Sequence, residues 1–255
     1  MNQHDIQQLE NLCNVLYSST DNQERNNAGQ TLYSVLENPD NFRNLYPILS
    51  MSSHPQLVYL SLSALTKLVG SEWKHMTEED KNLLFQNLFQ MLFAQTERPS
   101  FVYGGIAKAL ARVCRLGWLE YESFRLLPLN VQQVTEQNYL LGELGFKLFE
   151  ELVSEMLDPV KSRTIQVNRK TALNFRDEGL KIIFGYCVYL LGKVSEIPNQ
   201  LVGPVLLVLN QCLTFDFLGI SADETSEDSL CLQIPYSWKD YFENPQIIDY
   251  LCFVA

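Results

Sequence analysis

"PQLVYLSLSALTKLVGSEW" (residues 55–73) and "PSFVYGGIAKALARVCRLGW" (residues 99–118) decide how this chain is read. Each opens Pro-x-Leu/Phe-Val-Tyr, carries a Lys or Arg late, and finishes on tryptophan, Trp73 or Trp118. Their starts are 44 residues apart (99 − 55). In the second, Val102, Ile106, Ala109, Leu110 and Val113 recur at i, i+3, i+4, i+7 spacing, one face of a 3.6-period helix. Pro55 and Pro99 stand where such helices start, because the first-turn N–H that proline lacks has no intrahelical acceptor anyway. The pair predicts two related helices, each part of a repeating unit.

The same spacing spreads outward. Ile6, Leu9, Leu12, Cys13 and Leu16 share a face, as do Ala28, Leu32, Val35 and Leu36. It returns at Leu141, Leu144, Leu148 and Leu152, at Leu180, Ile183, Phe184, Cys187, Leu190 and Leu191, and at Val202, Val205, Leu206 and Leu209. Thr77 with Asp80 has the spacing of a helix cap, and Pro198 opens another periodic run. No sustained period-2 run predicts strands. Hairpins are expected at 5–37, 41–70, 77–117, 122–157 and 168–217. Helix pairs recurring every ~35–50 residues imply an all-α, HEAT- or armadillo-like superhelix, here one solenoid of about five to six hairpins over 1–255. The final "NPQIIDYLCFVA" is apolar without a polar capping helix, so the chain is expected to be the front piece of a longer protein, or a short isoform or gene-model fragment.

Composition narrows the function. Hydrophobic residues make up 46%, enough for a packed core, and the net charge is −11 with a pI near 4.8. That sign disfavours a nucleic-acid binder. Six cysteines without a C-x-x-C pair read as packed thiols, not a disulfide framework. No signal peptide opens the sequence, and the longest apolar runs, "IIFGYCVYLLG" and "LVGPVLLVL", are too short to span a bilayer. His4, His54 and His75 are scattered without metal-ligand spacing. "LGELG" at Gly142 and Gly145 is not a dinucleotide fingerprint and reads as small residues permitting close helix packing. No catalytic constellation, metal site or cofactor site is found, so an enzyme is not expected. "KSRTIQVNRK" (161–170) and Arg176 form the chain's most basic stretch, a solvated connector or an electrostatic contact. The acidic segment 218–236 lacks the glycine and ligand spacing of a calcium loop.

A resemblance emerges from "LTFDFLGISADETSEDSLCLQIPYSWKDYF" (213–242). Phe215, Asp216, Phe217, Gly219, Asp223, Glu224, Ser226, Asp228, Gln233, Ile234, Pro235, Ser237 and Trp238 follow a pattern similar to the exportin-7 and Ran-binding-protein-16/17 branch of the importin-β superfamily. "QLENLCNVLY" (8–17), "LTKLV" (65–69), "RLGW" (115–118) and "NRKTALNFRDEGLKIIF" (168–184) resemble the same branch. "DNQERNNAGQTLYSVLENPD" (21–40) resembles the superfamily's opening hairpin, with Gly29 where glutamate is usual. The resemblance implies the N-terminal part of a nuclear transport receptor, with 1–118 akin to a Ran-binding region. It implies Ran·GTP, protein cargo and nucleoporins as partners, no cofactor, no nucleic acid, no membrane insertion, and shuttling between cytoplasm and nucleus. Carried onto this chain, the Ran surface would take in Gln56, Tyr59, Ser63, Lys67, Tyr103, Lys108 and Arg112. The competing reading is a truncated HEAT-repeat scaffold without Ran coupling.

Overall fold

The computed structural model describes residues 1–94, 97–215 and 238–243. Among these there is no strand, and the fold is all-α, built of packed helical hairpins as the HEAT-like reading expected. The chain divides into two compact units, 1–113 and 114–255.

In the first unit, α1 (Gln3–Ser18) starts with a capping box: the Asn2 amide oxygen accepts from the Asp5 N–H while the Asp5 carboxylate accepts from the Asn2 N–H, both at 2.9 Å. It buries Ile6, Leu9 and Cys13. Asp21 caps α2 (Asn22–Leu36), whose Ala28, Gly29, Leu32 and Leu36 close the hairpin against α1. Gly29 matters there, because a Cβ would stand 3.3 Å from the Leu16 methyl. A 3-10 turn at Pro39–Asn44 leads into α3 (Leu45–Met51). Just beyond it, the Ser52 hydroxyl donates to Glu10 at 2.6 Å, tying this connection back to α1.

Next, α4 (Pro55–Glu72) begins with the expected proline and buries Leu57, Val58, Leu60, Leu62, Ala64, Leu65 and Val69. That arc is wider than one stripe, which is what a helix with neighbours on several sides requires. At roughly 1.5–3 kcal/mol for each large apolar side chain fully buried, α4 is a main source of the unit's cohesion. Thr77 caps α5 (Glu78–Phe93) by accepting from Asp80 N–H at 3.1 Å, and Leu84, Phe85, Leu88 and Leu92 face inward. Helix α6 (Ser100–Gly117) follows Pro99.

The second unit contains α7 (Glu122–Arg125), α8 (Leu127–Gln137), α9 (Gly142–Leu157), α10 (Ile165–Phe175), α11 (Lys181–Leu191), α12 (Asn199–Leu213) and the short α13 (Lys239–Phe242). The segment expected as one hairpin at 168–217 contains three helices. A π-helical turn at Arg176–Leu180 joins α10 to α11 without a loop, so the first of its two arms is longer than periodicity suggested. The glycines of "LGELG" do permit close packing: a Cβ on Gly142 would lie 2.8 Å from Leu201 of α12, and one on Gly145 2.5 Å from Thr135 of α8.

Buried Tyr186 of α11 stacks on Phe146 of α9 and shares a 2.8 Å hydrogen bond with the Thr135 hydroxyl. Burial pushes the Tyr186 pKa from 10.0 up to about 12, although the Thr135 bond pulls it down. The folded phenol therefore holds its proton more tightly than the unfolded one. Its stabilising contribution is complete below pH 10 and is lost as pH rises toward about 12. Alkaline titration followed by circular dichroism should show this loss, and Tyr186→Phe should flatten that part of the curve. An unchanged curve in the variant would rule Tyr186 out as its source.

Candidate functional site

All seven residues proposed for the Ran surface lie on α4 and α6, and all are at least partly exposed. On α4, Gln56, Tyr59, Ser63 and Lys67 follow i, i+3, i+7, i+11 and escape the buried arc. Lys67 is not a free cation, since its ammonium pairs with Glu37 just after α2. On α6, Lys108 is exposed, and Tyr103 and Arg112 are half-buried.

Beside Tyr59 the structure adds Tyr17, Tyr33 and Phe101, which the sequence reading did not single out. Tyr17 (56% exposed), Tyr33 (46%), Tyr59 (41%) and Phe101 (43%) form an exposed aromatic row contributed by α1, α2, α4 and α6. Tyr59 and Phe101 meet edge to face at 5.5 Å. Partial burial, and then the neighbouring Tyr33, Cys13 and Tyr59, raise the Tyr17 pKa above its ordinary value, which marks the approach of these rings. Gly105 on α6 makes room for the row: a Cβ there would stand 3.2 Å from the Tyr59 ring. Exposed aromatics held in fixed positions offer large contact area at low entropic cost, the composition of interface hot spots. The repeated Val-Tyr of the two opening motifs was a signal for Tyr59. Nothing local distinguished Tyr17 or Tyr33 from core residues.

In the second unit, the motifs "RLGW" and "NRKTALNFRDEGLKIIF" come together. Buried Arg115 donates to the Glu155 carbonyl and, at 3.1 Å, to the Asn168 side-chain oxygen. Asn168 also accepts from Val160 N–H at 3.0 Å and donates to the Val160 and Arg163 carbonyls. Trp118 donates to Asn174 at 2.7 Å and meets Phe175 edge to face at 5.2 Å. Arg163 binds the Leu116 carbonyl and, at 3.0 Å, Glu120. These motif residues thus hold the end of α6 against α10.

The two described members of the signature segment dock on the same continuous α10–π–α11 element. Phe215 packs against Phe175, with centroids 5.9 Å apart, and buried Trp238 against Phe184 at 4.8 Å. Asp216, Phe217, Gly219, Asp223, Glu224, Asp228, Gln233, Ile234 and Pro235 lie outside the described residues, as does the acidic segment 218–236.

Burial raises the pKa of Cys13 to about 11 and moves Cys114, Cys187 and Cys212 in the same direction, so these thiols stay protonated at neutral pH and make poor nucleophiles. Among the described residues no group of His, Cys, Asp and Glu is placed to hold a metal ion. No described helix is long and apolar enough to cross a membrane. The geometry offers recognition surface and core.

No family model matches the chain. Ran-binding protein 17 of Homo sapiens is 28% identical over 256 residues, covering 96% of this chain. Exportin-7-B of Xenopus laevis is 28% identical over 249 residues, covering 93%. Ran-binding protein 16 of Drosophila melanogaster is 27% identical over 257 residues, also covering 93%. The chain spans 23% of the length of each of these relatives. Along nearly its whole length, then, the chain is similar to the exportin-7 and Ran-binding-protein-16/17 branch that its motifs resemble.

Proposed function

We propose that this chain is part of a nuclear transport receptor of the exportin kind, the N-terminal part of a longer protein, and that its first unit takes part in binding Ran in the GTP state. Similarity over nearly the full chain to proteins named Ran-binding and exportin carries this reading. The all-α hairpin fold supports it, since stacked helix pairs offer broad surfaces to protein partners. The receptor acts by binding alone. It takes up protein cargo, passes nuclear pores in contact with nucleoporins, and shuttles between nucleus and cytoplasm. Ran couples to cargo only through its differential affinity for two conformations of the receptor. On this reading Tyr59, Phe101, Lys108 and Arg112 contribute to the Ran surface, the aromatics by buried area and the cations by steering.

The test is a titration of the chain with Ran loaded with GTP or with GDP, at low and moderate salt. Binding confined to the GTP state is expected, and Tyr59→Ala with Phe101→Ala should weaken it about tenfold or more. Equal affinity for both nucleotide states would point instead to a helical scaffold that does not read the nucleotide.

A further inference from the structure

The basic stretch at 161–170 is not absorbed by the function above. Its residues divide by role. Asn168 is buried in the Arg115 network, and Arg163 is engaged with Leu116 and Glu120. The remainder faces outward. Lys161, Arg169 and Lys170 are exposed, and with them Ile165 at 78% and Val167 at 38%. Ile165 is the first residue of α10, and Thr164 caps the helix by accepting from Val167 N–H at 3.3 Å. An exposed branched aliphatic at the start of a helix gains neither core burial nor helix propensity. The surface is also stiff, because the opposite face of α10 buries Asn168, Thr171, Ala172 and Phe175.

Charge makes the patch stand out further. The chain carries 30 acidic against 19 basic side chains, yet residues 161–170 hold four cations and no acid. Asp158, exposed three positions before Lys161, is the nearest carboxylate in sequence. Neither Lys161 nor Lys170 is engaged with a carboxylate among the described residues.

We propose that the start of α10 is a docking site for a short acidic segment of a partner protein that also carries aliphatic side chains. Its carboxylates meet Lys161 and Lys170, and its apolar residues cover Ile165 and Val167. Complementarity selects this occupant. An anionic membrane would call for bulky aromatic anchors and a wide basic face, whereas this patch has two aliphatics. An extended polyanion such as nucleic acid would meet the repulsion of a chain at −11 beyond the patch. A short acidic peptide feels only the local field, because charges beyond about 8–10 Å are screened at physiological salt.

The probe is a fluorescein-labelled peptide of alternating Glu and Leu, titrated by anisotropy with the 255-residue chain at two salt concentrations. Saturable, salt-weakened binding is expected. Lys161→Glu with Lys170→Glu should weaken it about tenfold, and Ile165→Ser about threefold, while Arg25→Glu in the first unit leaves it unchanged. All four positions are exposed, so circular-dichroism melts should match the parent and exclude misfolding. Three results would each overturn the proposal. They are no peptide binding, equal binding by parent and the double lysine variant, or sedimentation of the chain with phosphatidylserine vesicles in place of peptide binding.

Discussion

An Asn168→Ala variant is expected to lose about 3–5 kcal/mol of stability, read as a lowered urea midpoint. One buried amide serves four partners: its oxygen accepts from Arg115 and from Val160 N–H, and its nitrogen donates to the Val160 and Arg163 carbonyls. Truncation takes a partner from a guanidinium that is 1% exposed and strands backbone groups where water has little access. Native domains have only about 5–15 kcal/mol in total, so this one change should bring the second unit near its limit. Asn168→Asp keeps the acceptor for Arg115 but loses the two donated bonds, and should fall between parent and alanine. A loss below about 1 kcal/mol for the alanine would show that the network does not carry this region.

Trp118→Ala is expected to cost a similar amount, about 3–5 kcal/mol, because it empties the space of a fully buried indole and removes the bond to Asn174. Its coupling to Gly179 is more telling. A Cβ on Gly179 would stand 2.7 Å from the Trp118 ring and 2.8 Å from the Phe175 ring. In the parent, Gly179→Ala should therefore cost about 1–3 kcal/mol by overpacking. In the Trp118→Ala background one of the two clashes is gone, and the same substitution should be tolerated better, with a coupling of about 1 kcal/mol or more. Circular-dichroism unfolding of the four proteins closes the cycle. Additivity within about 0.5 kcal/mol would mean that Gly179 does not serve to seat Trp118.

Both predictions fall on motifs that resemble the exportin-7 branch, and the structure gives them a physical role in packing. "RLGW" and "NRKTALNF" are about fifty residues apart in sequence and meet as a hydrogen-bonded, aromatic contact between the end of α6 and α10. The Ran-surface residues on α4 and α6 belong to a different region and a different kind of evidence. They rest on exposure and on the resemblance, and the nucleotide-state titration tests them independently of any stability measurement.

Helix was legible in the sequence because an amphipathic stripe of period 3.6 is written into the order of residues, and proline and Ser/Thr/Asp/Asn mark the starts. Ile6, Leu9 and Cys13 on one face, or Val102 and Ile106 on another, needed no partner to be recognised as buried. The outward positions of Tyr59, Lys67 and Lys108 agree with the same wheel, although the resemblance is what named them. Tertiary structure alone decided where faces meet. Whether Tyr17 is core or surface depends on which helices lie beside α1, since its own stripe fits either. The Lys67–Glu37 pair joins residues thirty positions apart, and the π turn at Arg176–Leu180 leaves no break in the apolar pattern. Local order fixes a helix and its faces through i to i+4 contacts, whereas a surface shared by several helices exists only after long-range packing has chosen their neighbours.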